Sequence, residues 1–123
     1  MSRARKNLGD SGERLAGLFL EQRGYKILER NFRTRGGEID LIAEDLDGLA
    51  FVEVRTRHSD LAGMPEESLT PRKRARMIAM ALEYLSRHEE WAERAWRIDF
   101  VGIELSPSGK VKRIEVIKSA VEE

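Results

Sequence analysis

Between Gly37 and Arg55 the chain alternates so regularly that it admits one kind of hairpin. Gly37-Glu38-Ile39-Asp40-Leu41-Ile42-Ala43 and Ala50-Phe51-Val52-Glu53-Val54-Arg55 both read as β-strands, and Asp45-Leu46-Asp47-Gly48 between them is rich in turn residues. Side chains along a strand change face at every residue, so a slip of one position exchanges the faces. A four-residue loop pairs Glu44 with Leu49 and sets Asp40 opposite Glu53, whereas a two-residue Asp47-Gly48 turn sets Asp40 opposite Arg55. Either even loop leaves Asp40, Glu53 and Arg55 on one face and Ile39, Leu41, Ala43, Ala50, Val52 and Val54 on the other. An odd loop mixes charge into both faces, and the pattern rejects it.

Acids are disfavoured inside strands, and a buried ionised group is costly unless it is paired or bound to metal. Paired strands lie roughly 4.8 Å apart and same-face neighbours on one strand roughly 6.7 Å apart. Two carboxylates at such spacings can converge on one hard divalent cation with a cationic side chain beside them. The plain alternative is an internal ion pair in which Arg55 neutralises the acids, a weak source of stability.

A length of 123 residues suits a single domain spanning residues 1–123, with the basic stretch 1–7 expected as a flexible N-terminus. With no cysteine, disulfides, thiolate zinc sites and thiol catalysis are excluded. The basic start is not followed by the apolar run of a signal peptide, and no stretch approaches the roughly 20 apolar residues of a membrane span. A cytoplasmic protein without a membrane partner is expected. The 22 basic and 22 acidic residues cancel, which argues against an indiscriminate nucleic-acid binder. The charges are nonetheless clustered: Arg30, Arg33 and Arg35 precede the hairpin, Arg55 and Arg57 end it, and Arg72, Lys73, Arg74 and Arg76 open a later helix. A solvated helix face is the other reading of that last group.

Around the hairpin the pattern predicts a helix from about Ser11 to Arg23, capped by Asp10 or Ser11 and ended by Gly24. Leu15, Leu18, Phe19 and Leu8 form its apolar stripe. Glu13, Ala16, Gly17 and Leu20 form an adjacent one, whose small residues allow close approach to a sheet and turn Glu13 toward the hairpin. Otherwise Glu13 is a first-turn glutamate favoured by the helix dipole. Tyr25–Phe32 is a short extended segment and His58–Ser68 an exposed loop. Thr70-Pro71 starts a second helix, with a hydroxyl N-cap and proline at the first helical position. It carries Ala75, Ile78, Ala79, Leu82 and Leu85 inward to about Arg87. A break follows at His88–Trp91, then strands over Trp96–Leu105 and Lys110–Ile117, the latter with Val111, Ile114 and Val116 as apolar members. Asp99, between Ile98 and Phe100, reads as a structural hydrogen-bonding acid. The fold class is α/β with a mixed sheet flanked by helices. GxGxxG, P-loop, HExxH and GxSxG motifs are absent, and His58 and His88 lack a spacing for joint ligation.

Gly12-Glu13 on a helix, Gly24-Tyr25 with Leu28 and Asn31, Gly37-Glu38-Ile39-Asp40-Leu41-Ile42-Ala43, and Phe51-Val52-Glu53-Val54-Arg55-x-Arg57 together resemble the YraN family of small bacterial proteins. The resemblance covers roughly Leu8 to Ile117, and its acidic runs are specific in order and spacing. That family is similar to the PD-(D/E)XK nucleases, particularly archaeal-type Holliday junction resolvases. The resemblance implies a restriction-endonuclease-like αβββαβ core around Mg²⁺ or Mn²⁺. It sets Asp40 at the PD aspartate, Glu53 at the (D/E) acid, Arg55 at the lysine position and Glu13 at the first-helix glutamate, with the Val54 carbonyl as a further metal ligand. Arg35, Arg57 and Lys73 would engage neighbouring phosphates. One departure matters: the guanidinium of Arg55 stays protonated and cannot act as a general base, although it can stabilise charge on a phosphate. A metal-dependent endonuclease acting on DNA, branched DNA included, is the function implied, with a homodimer suited to a junction. The alternatives are a non-catalytic nucleic-acid-binding module and a protein-interaction domain.

Overall fold

The computed structural model describes the backbone of residues 3–58 and 69–121 and the side chains of residues 11–58 and 69–121. Its elements run α1 (Arg3–Gln22), β1 (Lys26–Thr34), β2 (Gly37–Asp45), β3 (Gly48–His58), α2 (Pro71–Ser86), a 3-10 turn at Glu89–Trp91, β4 (Trp96–Leu105) and β5 (Val111–Val121). The expected αβββαβ order is present, with β5 added. The five strands stand in chain order; β3 and β4 run parallel and the other neighbours antiparallel. The loop expected after His58 lies outside the described residues.

Central strand β3 divides the core by its two-residue period. Ala50, Val52 and Val54 pack with Ala16 and Leu20 of α1, and with Leu41, Val101 and Ile103. Leu49 and Phe51 pack with Met77, Met80, Ala81 and Tyr84 of α2, and with Ile98. The Phe51 ring meets Tyr84 and Trp96 edge-on, at centroid distances of 5.4 and 5.8 Å. Gly48 lets the hairpin close against the segment before β4. A Cβ there would lie 2.3 Å from the Ala95 carbonyl oxygen, which accepts the Leu49 N–H at 2.9 Å.

In α1 the small-residue stripe expected beside the apolar one faces the sheet, and in α2 only Ile78 and Leu85 of the expected stripe pack, partly buried, against the core. In α1 the buried line is Ala16 and Leu20, while Leu18 is 58% exposed. The reason is distance: a Cβ on Gly12 would stand 2.1 Å from Thr56 Oγ1, so the helix backbone lies almost on the sheet, where only small residues fit. The helix also begins at Arg3 rather than near Ser11, so residues 3–7 are helical and Asp10 and Ser11 are interior positions, not caps. In α2 the buried line is Met77, Met80, Ala81 and Tyr84; Ala75 and Ala79 are exposed, and Leu82 is 51% exposed. Both stripes have helical spacing, and the unbranched methionines fill the uneven surface above the sheet. The start of α2 is as expected, with the Thr70 hydroxyl accepting the Lys73 N–H at 3.3 Å. Strand β5 runs four residues past Ile117 to Val121, and Val111 at its start is 48% exposed.

Candidate acidic site where two strands part

Strand β2 stays with β3 from the Asp45↔Gly48 pair to Leu41↔Val52 and then leaves it. The four-residue-loop register is the one adopted, with Glu44 against Leu49, which sets Asp40 across from Glu53. Strand β3 continues beside β4 to His58↔Leu105, and β1 follows β2 to Thr34↔Gly37, so a wedge opens between β2 and β3. A strand N–H exposed in such a gap needs another acceptor. The Asp40 carboxylate supplies it, taking the Val54 N–H at 2.8 Å.

At Asp40 the alternation of β2 is broken. Leu41 packs in the α1-side core, but Ile39, expected on the same face, packs in the α2-side core. Asn31, which falls between the pairs Arg30↔Leu41 and Phe32↔Ile39, stands opposite Asp40 and has a left-handed φ of 53°. Asparagine tolerates that conformation better than most residues. The two strands therefore twist over together, and Asp40 projects into the wedge instead of onto a flat face.

The acids reach the wedge from both sides of the sheet. Glu53, 9% exposed, lines a small cavity with Ile39, Phe51, Met77 and Met80 beneath α2. Burial, then the charge and hydrogen bond of Glu53, push the Asp40 carboxyl up to about 9, so the two acids share a proton at neutral pH; Glu13 adds a smaller push in the same direction. Glu13 comes from α1, where it is a mid-helix residue and not a first-turn one. Its carboxylate and that of Glu38 each accept from the Asn31 amide nitrogen at 2.8 Å. Arg33 faces Glu38 at 3.8 Å.

Two cations join the acids. Arg55 Nη2 lies 2.7 Å from Glu53, and its Nε is buried with no hydrogen-bond partner. Lys73, in the first turn of α2, has its amine pulled down by burial and by the Arg55 charge, against the opposing pull of Glu53 and Asp40. The structure thus brings Glu13, Asp40, Glu53, Val54, Arg55 and Lys73 to one place. Arg35 stands apart, in the exposed β1–β2 turn, where Glu83 accepts its backbone N–H at 3.1 Å and Gly36 packs near Arg76. Arg57 is half-buried two residues along β3, on the Arg55 face. Among the described residues no three acids form a ready-made metal cage. The donor set is nevertheless all oxygen, as a hard cation requires, and the proton between Asp40 and Glu53 marks where positive charge is wanted. Arg55 competes with any cation for Glu53. Asn31 is the member that sequence reasoning left without a role; an asparagine within an extended segment was its signal.

Asp99 is structural, as expected. Fully buried, it accepts from Tyr25 Oη at 2.9 Å, Arg97 Nε at 3.0 Å and the Ser119 N–H at 2.9 Å. Arg97 in turn bonds Asp45 at 2.8 Å. Burial raises Asp45, but the bonds from Arg97 and Lys118 outweigh it and hold the group below the carboxylate range. His58 faces the Ser106 carbonyl at 3.3 Å, and His88 stacks on Tyr84 at 3.8 Å.

Fold and site together define an α/β domain with a mixed five-stranded sheet that gathers acids and cations where its second and third strands separate. The chain belongs to the uncharacterised protein family UPF0102, whose profile matches residues 12–103, and this bears out the resemblance to the YraN family. A UPF0102 protein of Roseiflexus castenholzii is 45% identical over 123 residues, 100% of this chain and 99% of the relative. One from Syntrophus aciditrophicus is 45% identical over 114 residues, 93% of this chain and 87% of its own length. A third, from Geobacter metallireducens, is 43% identical over 122 residues, covering 99% and 98%. Among the described residues no helix is long and apolar enough to cross a membrane.

Proposed function

We propose that this protein is a metal-dependent endonuclease that hydrolyses DNA phosphodiesters, with branched DNA as the substrate class the family resemblance favours. The observation carrying this reading is the confrontation of Asp40 and Glu53 in the wedge, one acid oriented by a backbone N–H and both flanked by Arg55 and Lys73. Glu13, Asp40 and Glu53 would hold Mg²⁺ or Mn²⁺. The Val54 carbonyl would join them, since the N–H and C=O of a strand residue face the same neighbour. A cation held there would supply Lewis acidity and a more acidic water.

The chain's own residues do the rest. Arg55, its side chain partly exposed, would offer its guanidinium to a non-bridging oxygen of the scissile phosphate and stabilise charge developing there as water adds and an ester P–O bond breaks. It removes no proton; Glu38, which is exposed and lines the cavity with Glu53, would take one from the water. Lys73 adds a second positive charge, and Arg35 and Arg57 meet flanking phosphates. The test is incubation of purified protein with linear, flapped and four-way DNA in Mn²⁺. Cleavage abolished by Asp40→Asn is expected. No cleavage of any substrate, or cleavage indifferent to that change, would remove the reading.

The Arg55–Glu53 pair at 2.7 Å favours a second reading, a nuclease-like fold that binds nucleic acid without cutting it. Salt-sensitive DNA binding that survives loss of both acids, without turnover, would select it.

A further inference from the structure

The Asn31 side chain joins three elements at the rim of the wedge. Its amide nitrogen carries two hydrogens, and one bond of 2.8 Å runs to Glu13 on α1 and the other to Glu38 on β2. Both acceptors are acids, so the donor is fully committed to holding two like charges in place. The backbone beneath it is held at a φ of 53°, opposite Asp40 in the β1–β2 ladder. Strain of this kind persists only where the surroundings over-determine it. An aspartate or glutamate here would repel both neighbours. A lysine would offer a longer, less directional cation that competes with a bound ion.

We propose that Asn31 is a positioning residue for the cation site: a neutral clasp that fixes the Glu13 carboxylate beside Asp40 and is itself anchored on β2 by its bond to Glu38. Glu13 sits on a helix on one face of the sheet, whereas Glu53 lines the cavity on the other. Between them the strands part, and no backbone pairing of β2 with β3 fixes their spacing beyond Leu41↔Val52. Asn31 ties α1 to β1 and β2 on one side of that gap, and the Val54 N–H bond to Asp40 crosses it. This inference rests on the cation reading given above.

The experiment measures Mn²⁺ affinity by calorimetry, and unfolding temperature in EDTA, for wild type, Asn31→Gly, Glu13→Gln, the Asn31→Gly/Glu13→Gln pair and Asp40→Asn. Glycine accepts the positive φ, so Asn31→Gly removes the amide without adding backbone strain. The expected result is an affinity for Mn²⁺ lower by about tenfold or more, the usual effect of losing a residue that orients a ligand, with the EDTA unfolding temperature unchanged or raised. In the Glu13→Gln background the same change should have no further effect, because Asn31 acts through Glu13. Affinity untouched in Asn31→Gly, while Asp40→Asn abolishes it, would overturn this proposal and leave the cation reading standing. Additive losses in the double variant would also overturn it. A wild-type protein that binds no Mn²⁺ would remove the cation reading and the clasp with it.

Discussion

Asp40→Asn should make the metal-free protein more stable and, in the same stroke, blind to divalent cations. The magnitude follows from the acid pair. Asp40 is raised from an ordinary 3.8 to about 9 by burial and by Glu53, so between those values the folded state holds a proton that the unfolded chain has released. Stability from this group is therefore complete below about pH 4 and is lost as pH rises through about 9. One pKa unit corresponds to about 1.4 kcal/mol, so two units of such a shift already amount to about 3 kcal/mol. Asparagine stays neutral at every pH, keeps an oxygen for the Val54 N–H and can donate its amide to Glu53. Its advantage over wild type in EDTA should be absent near pH 4, reach about 3 kcal/mol two pH units higher, or about 10 °C in unfolding temperature for a domain of this size, and go on growing until pH nears 9. In Mn²⁺ at a hundred times its dissociation constant, wild type should gain about 2.7 kcal/mol and the variant nothing, which narrows the gap and roughly closes it two units above pH 4. Urea titrations at pH 5, 7 and 9, with EDTA or Mn²⁺, measure all of this. A wild-type stability that stays parallel to that of the variant from pH 5 to 9 would refute the shared proton. A variant still stabilised by Mn²⁺ would refute the role of Asp40 in holding the ion.

Other substitutions separate the chemistry from the scaffold. Arg55→Ala should free Glu53 and tighten Mn²⁺ binding in calorimetry, while slowing DNA cleavage by about 10²-fold or more, since the guanidinium serves the phosphate and not the ion. Asp99→Ala should cost about 3–5 kcal/mol in urea unfolding, because the Arg97 guanidinium, the Tyr25 hydroxyl and the Ser119 N–H would all lose a buried acceptor. Gly12→Ala should cost about 1–3 kcal/mol through the clash with Thr56 Oγ1, and the displaced α1 should carry Glu13 with it and weaken Mn²⁺ binding.

The parts of the fold legible in the sequence were those decided locally. The alternation from Gly37 to Arg55 selected an even hairpin because a slip would have buried charge, and the structure uses one of the two registers that survive. Thr70-Pro71 marked the start of α2 because cap and proline each act within one turn. Asp99 was legible as a structural acid because a carboxylate between Ile98 and Phe100 must be hydrogen-bonded. What sequence could not show depends on distances between elements. The small-residue stripe of α1 was legible as a surface for close approach, but that it, and not the Leu15–Leu18 stripe, faces the sheet is decided by the contact of Gly12 with Thr56. Ile39 changes face because Asn31, on the neighbouring strand, adopts a left-handed turn; parity counted along β2 alone misses it. Lys73 was expected to meet a neighbouring phosphate, but that its amine would lie within the field of Arg55, Glu53 and Asp40 depends on how α2 packs over the sheet.

An arginine in place of the expected lysine acquires a reason when charge in the wedge is counted formally. Without metal, and with Asp40 holding its proton, the formal charges of Glu13, Glu53 and Glu38 are matched by those of Arg55, Lys73 and Arg33. Arg55 is then the counter-charge paired with the nearly buried Glu53. A dication entering with loss of that proton leaves one surplus positive charge, which a single phosphodiester cancels. A lysine at position 55 could lose its own proton in response and spread the change over two groups. An arginine cannot, so the whole adjustment falls on the Asp40–Glu53 proton. On the cation reading, metal uptake should therefore release one proton per ion below pH 9, and DNA should tighten metal binding, each ligand compensating the charge left by the other. Calorimetry in buffers of different ionisation enthalpy counts the proton directly. Uptake of Mn²⁺ without proton release at pH 7 would break this chain of reasoning at its first link.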